Sequence, residues 1–221
     1  MKTKLLIALS AVFLFLMPVS TFGESINLGT AADFVLFTTV GAVGNTGISQ
    51  LTGNVGSNSG SSTGFGNVNG VMHSSDGATS QCSSDLLLAY NQLNSAVSTF
   101  SHAPLLGDGE TLVAGVYAIA GNSTLDLNLT LDAKNDPNAV FIFQIGGTFS
   151  SNVNSSIVLV NGAKACNVFW KVEGLVSLAS GTSMKGTVIA NNAAITINSG
   201  ATLEGRALSI VGAVNITNVL A

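Results

Sequence analysis

Residue types used in hydrolysis come together once, at His73-Ser74-Ser75-Asp76. Four consecutive residues in a loop cannot present nucleophile, base and orienting acid to one another, so this run predicts no catalytic triad. Asp126, Asp132 and Asp136 suggest calcium, but the run Asp132 to Asn138 lacks the glycine and the distal glutamate of an EF-hand loop, and a turn is the simpler reading. Cys82 and Cys166 form an even pair and are read as a disulfide, on the premise that the chain is exported. His102 beside Pro104 is read as a loop residue. What remains is a chemistry of surfaces: short hydroxyl and amide side chains repeating at a fixed interval.

That interval is 19 residues. Val176-Ser177-Leu178-Ala179 aligns with Ile195-Thr196-Ile197-Asn198 and with Val214-Asn215-Ile216-Thr217, and matching segments precede each at Val168 to Val172, Thr187 to Asn191 and Arg206 to Ile210. A period near 20 with two short strands per repeat is the mark of a solenoid whose turns cover one another. Side chains alternate along a strand, so Val176, Leu178, Ile195, Ile197, Val214 and Ile216 are expected inside. Ser177, Thr196 and Asn215 form one outward file; Ala179, Asn198 and Thr217 form a second. Phe141 to Ile145 and Phe149-Ser150 fit the same pattern at an offset of 27, which places Ser150 at the head of the first file and Asn152 at the head of the second, with an inserted segment within Ser155 to Cys166.

The elements around this repeat follow from composition and periodicity. Residues 1–23 read as an export signal: Lys2 and Lys4, an apolar run from Leu5 to Met17, Pro18, and a small-residue site ending at Gly23. Residues 24–221 read as a single domain, with no linker or charge run to divide them. Residues 57–81, rich in Ser, Gly and Asn, read as a surface loop. Ser84 can cap a helix running to about residue 101, with Leu86, Ala89, Leu93 and Phe100 on one stripe that covers a side of the β-body. Gly115 to Ile119, Leu125 to Leu131 and Phe141 to Ile145 read as strands.

Charged residues make up 8% of the chain and the net charge is −4, with no basic cluster. Soluble proteins carry roughly 25% charged residues. The deficit, together with scattered acids, disfavours nucleic acid, anionic membrane surfaces and an acid-lined polysaccharide groove as partners. Neither metal nor cofactor is implied, and the chain reads as a non-enzyme.

Asp85-Leu86-x-x-Ala89-Tyr90-Asn91, Gly115-Val116-Tyr117, Leu129 to Ala133, Asp136 to Gln144, Asn161 to Trp170, Lys185 to Ala190 and Gly200 to Leu208 together resemble the secreted microbial ice-binding (antifreeze) proteins. The resemblance implies a mainly β fold: a right-handed, discontinuous β-solenoid of triangular section with one long α-helix packed alongside. It also implies ice as the partner, bound by one flat solenoid face, in an extracellular monomer that inhibits ice growth and recrystallisation. On this chain that face would carry Ser150, Asn152, Ser177, Ala179, Thr196, Asn198, Asn215 and Thr217, a mixture that departs from the family's Thr-rich repeats. An extracellular adhesion or matrix module on the same fold, without ice affinity, is the alternative.

Overall fold

The structure is a computed structural model and describes residues 26–221. The export signal expected over residues 1–23 lies outside the described residues. Every strand pairing is parallel, and the strands fall into three faces of one coil.

One face runs, in stacking order, through Met72–Ser74, Asn54–Ser59, Phe34–Val40, Thr202–Val211, Ser183–Ala190, Val168–Val172, Phe141–Ile145, Gly115–Ile119 and Phe100–Ser101. A second runs through Ser62–Thr63, Val43–Thr46, Val214–Thr217, Ile195–Ile197, Val176–Leu178, Phe149–Ser151, Ser123–Asp126 and Leu105–Gly107. A third comprises Thr111–Val113, Asn128–Asp132, Ser156–Val160, the leading halves of the two long strands that begin at Ser183 and Thr202, and, reached through the bridges of Leu220 to Thr202 and Gln50, Leu51–Thr52 and Val68–Asn69. Stacking order is not chain order. Phe34–Val40 lies against Thr202–Val211, so the start of the described chain caps its own end.

This discontinuity explains the helix. After Met72–Ser74 at one end of the stack, the next strand of the same face is Phe100–Ser101 at the other end of the nine strands. Eight inter-strand steps span about 38 Å. A 19-residue helix, Gly77–Ser95, covers about 28 Å of that distance. Thr79, Cys82, Leu86, Ala89 and Leu93 form its buried stripe, which packs on Phe34, Phe37, Ile142, Phe169, Ile189 and Leu208 of the first face.

The helix begins seven residues before the expected Ser84. Asp76 accepts from the Thr79 backbone N–H and Thr79 reciprocates to the Asp76 N–H, a capping box that starts the helix there. Ser84 sits inside it, its hydroxyl donating to the Ser80 carbonyl. The helix ends at Ser95 rather than near 101, because Phe100 belongs to the terminal strand. Gln144 Nε2 donates to the Leu93 and Ala96 carbonyls and so ties the helix end to the sheet. Residues 57–81 likewise depart from the expected loop: they hold Ser62–Thr63, Val68–Asn69 and Met72–Ser74, the outermost coil, followed by the first turn of the helix.

The disulfide is absent. Cys82 and Cys166 are both free thiols, the first buried under the helix and the second exposed in the turn Ala165–Asn167. A cysteine on the helix's sheet-facing stripe cannot reach one on an outer turn without unseating the helix. Burial pushes the Cys82 thiol pKa up, with Asp85 and Asp33 adding to the effect.

All six residues expected inside from the 19-residue repeat are buried. Beside them runs a column of stacked rings: Phe100 on Tyr117 at 5.0 Å, Tyr117 on Phe143 at 5.3 Å, and Phe143 on Trp170 at 4.0 Å, with Phe149 on Trp170 at 5.2 Å. In-register pairing makes this column, since Phe100, Tyr117, Phe143 and Trp170 occupy equivalent positions on successive strands.

Each coil leaves the second face through a residue in the left-handed region. These are Asp108, Leu127, Asn154, Gly181, Gly200, Asn218, Gly47 and Gly64, with glycines of positive φ, Gly107 and Gly109, on either side of the first of them. The expected continuous strand Leu125 to Leu131 is therefore two strands, broken at Leu127. Leucine at φ +49 is the ill-suited member, and 57% exposure means that its side chain gains little in return. Leu127→Asn relieves about 1 kcal/mol of strain. The expected result is a melting temperature about 2–4 °C higher by differential scanning calorimetry.

Another corner contains a carboxylate. Asp132 accepts from the Lys134 ammonium, from the Lys134 backbone N–H and from the Asn161 amide, which hold its pKa at about 2. A carboxylate with a depressed folded pKa stabilises above its unfolded value of about 4, and the contribution disappears as pH falls from about 4 to 2. Asp132→Asn should flatten the dependence of melting temperature on pH in that window; an unaltered slope would remove Asp132 from the account of acid stability.

Candidate functional site

The second face brings the predicted surface residues together. Ser150 pairs with Ser177, Ser177 with Thr196, and Thr196 with Asn215, one strand apart at each step. Thr217 occupies the companion file and pairs with Thr46. Asn152, Ala179 and Asn198 each follow directly on a strand of this sheet, at its edge. Two of these side chains are bonded within the protein: Asn152 Nδ2 donates to Asp126 Oδ1 at 2.9 Å, and Asn198 Nδ2 to the Leu178 carbonyl at 2.9 Å. The Ala179 N–H donates to the inward-facing Ser151 hydroxyl, which also bonds Thr182 Oγ1 at 2.6 Å.

The file extends beyond what the repeat revealed. Thr124 pairs with Ser150, their hydroxyls 3.1 Å apart, and Leu105 pairs with Thr124. At the other end Gly44 pairs with Asn215, and Thr63 with Gly44. The complete file is Leu105, Thr124, Ser150, Ser177, Thr196, Asn215, Gly44 and Thr63, without a charged member. Two signals for the extension were present in the sequence, since Leu105 to Thr124 and Gly44 to Thr63 are also 19 residues apart. The pattern is hidden at Asn45, which stands where Ile216 stands in the neighbouring coil. Its amide is satisfied internally, donating to the Gly64 and Gly47 carbonyls and accepting from Ser49.

On the opposite flank the residues just before the strands are Leu175, Ala194, Ala213 and Ala42, whose carbonyls accept from the N–H of Phe149, Val176, Ile195 and Val214 respectively. Methyl groups thus border hydroxyls along the face. The other two faces are different. One is covered by the helix, where Lys171 and Glu173 pair beside Tyr90. Burial raises the Glu173 pKa, but bonds from Lys171, Asn191 and Tyr90 outweigh it and hold the carboxyl below the usual range. The third carries the Lys185–Glu204 ion pair at 2.6 Å.

The residues set aside for catalysis have structural partners. His73 Nδ1 lies 2.7 Å from Asp76, whose other carboxylate oxygen caps the helix. His102, read as a loop residue, has its Nε2 3.1 Å from Glu110. Arg206 does not pair with Glu204; its Nε donates to the Ala32 carbonyl and joins the last coil to the first. Among the described residues no group of three or more His, Cys, Asp or Glu side chains is placed to hold a metal ion. Apart from the Asp126 carboxylate at its edge, which accepts from Asn152, the second face presents neutral donors, acceptors and methyl groups at the strand spacing, about 4.8 Å.

Residues 37–220 match the family model described as Ice-binding-like. The chain belongs to the ice-binding-like family. Among its relatives is a protein of Nostoc sp. (strain HG1) named ice-binding protein, 40% identical over 193 residues, which cover 86% of this chain and 71% of that protein. The crystal structure of an ice binding protein from an Antarctic bacterium, Flavobacteriaceae, superposes with a TM-score of 0.88 at 58% identity. The match covers 89% of this chain and 47% of that one, so this member of the family spans about half the length of that relative. The ice-binding protein of the Antarctic ascomycete Antarctomyces psychrotrophicus superposes with a TM-score of 0.85 at 36% identity, covering 90% of this chain and 98% of that one.

Proposed function

We propose that this chain adsorbs to ice through its second face and thereby inhibits ice growth and recrystallisation, acting outside the cell as a non-enzymatic monomer after loss of residues 1–23. Ser150, Ser177, Thr196, Asn215 and Thr217 are the contact residues, with Asn152, Ala179 and Asn198 along the edge. Supporting this reading above all is the uncharged, in-register file on a chain of this family.

The physics is that of a template. Strand spacing of about 4.8 Å lies close to the oxygen repeat along one axis of ice, so water held by each hydroxyl falls near a lattice position. Thr is stiff at χ1 and Ser is short, so little side-chain entropy is lost on adsorption. Each contact is weak, and binding arises from many made at once. Long charged side chains would hold water in other arrangements, and the central file has none.

Nanolitre osmometry of the purified chain tests this. A gap between melting and freezing temperatures, with faceted crystals inside it, is the expected result; crystals that grow as unshaped discs with no gap contradict it and leave the matrix-module reading in place.

A further inference from the structure

The second face is built from two distant parts of the chain, and two side chains fasten them. Strands Val43–Thr46 and Ser62–Thr63 come from the first coils; Val214–Thr217 and the strands below it come from the last part of the chain. At this seam Asn218, in the left-handed conformation at φ +46, accepts the Ile48 N–H on Oδ1 at 2.8 Å. Its Nδ2 donates to Ser199 Oγ at 3.3 Å, and its own N–H donates to the Thr46 carbonyl at 3.1 Å. One residue therefore touches the coils on both sides of its own. One step further out, Asn45 Nδ2 donates to the Gly64 carbonyl at 2.7 Å and holds Ser62–Thr63 onto Val43–Thr46.

We infer that Asn218 and Asn45 are positioning residues of the ice-contact surface, and that they carry that surface across the seam onto Thr46 and Thr63. This rests on the proposed function of the second face. Asn45 occupies a position that is apolar in the neighbouring coil, where Ile216 is buried; a polar residue inside a solenoid, with its amide bonded to turn carbonyls, serves register better than it serves hydrophobic burial. Gly47, the next left-handed corner, leaves the space for Asn218: a Cβ there would lie 2.1 Å from Asn218 Oδ1. Without these clamps the outer two strands remain attached by short ladders of four and two residue pairs, and their hydroxyls lose the fixed spacing that a lattice requires.

The test is Asn218→Gly, which retains the left-handed backbone and removes only the side chain, beside Asn218→Asp, which keeps the acceptor for the Ile48 N–H. Thermal hysteresis is read near 0 °C at equal folded concentration, where a loss of stability alone does not register. The Gly variant is expected to lose at least about twofold in hysteresis while the Asp variant holds the native value, because fewer contacts act together. Thr196→Tyr is run alongside. Full hysteresis in Asn218→Gly together with loss in Thr196→Tyr overturns the positioning role and leaves the second face as the ice surface; full hysteresis in both overturns the two together.

Discussion

Thr196→Tyr is expected to remove most of the thermal hysteresis, on the order of tenfold, while the protein folds as before. Thr196 sits in the interior of the central file, with Ser177 on one side and Asn215 on the other. Its side chain is outward and half-buried between two fully buried neighbours, Ile195 and Ile197. Tyr is at home in strands, and a substitution at such a position changes stability by no more than about 0.5 kcal/mol. A phenol ring standing above that surface separates the ordered water from Ser177 and Asn215 as well as from residue 196, so one change breaks three contacts. Circular dichroism and melting temperature should be unaltered. If hysteresis is also unaltered, ice meets a different face.

The largest effect on stability is expected from Trp170→Ala. Trp170 is fully buried, stacked on Phe143 and Phe149 of the neighbouring coil, and its indole N–H donates to the Lys185 carbonyl at 2.9 Å. Removing the ring leaves a cavity inside a stack of coils that cannot collapse without breaking register above and below. The cost is about 3–5 kcal/mol. At about 2–4 °C per kcal/mol, the melting temperature falls by roughly 6–20 °C. Trp170→Phe keeps the stacking and loses mainly the hydrogen bond, and should cost about 1–2 kcal/mol. Because the ring faces inward, hysteresis per folded molecule stays at the native value in both. A shift under about 1 kcal/mol for the Ala variant would mean that the ring column is not a principal support of the fold.

The coil was legible where an apolar residue fills every inward position. Val176/Leu178, Ile195/Ile197 and Val214/Ile216 alternate without interruption, and the structure buries all six in the predicted register. The same 19-residue period runs through Gly44 and Thr63, but Asn45 and Ser62 replace the inward apolar residues there; Asn45 is satisfied by the Gly64 and Gly47 carbonyls and the Ser49 hydroxyl, whereas the buried Ser62 hydroxyl has no partner among the described residues. Periodicity of hydrophobicity cannot register that substitution. Thr124 was missed for a related reason: Ser151 is an inward serine bonded to Thr182, so the strand that pairs with Ser123–Asp126 does not look apolar on both sides of Ser150.

The helix was recognisable from its apolar stripe, yet its start was misplaced, because Asp76 and Thr79 make a capping box in text that otherwise looks like loop. Its end was set by a contact at long range, the terminal strand at Phe100, which no local signal announces. The cysteine pair failed as a disulfide for a purely geometric reason. An even count says nothing about which side of a helix each thiol occupies.

Ice-affinity partitioning tests most directly whether the second face is the ice-contact surface. A slowly growing ice shell is offered the native chain, Thr196→Tyr on the second face, and Thr130→Tyr, an outward position on the third face. The native chain and Thr130→Tyr should enter the ice, and Thr196→Tyr should stay in the liquid. Exclusion of Thr130→Tyr with incorporation of Thr196→Tyr, or exclusion of the native chain itself, would contradict the account.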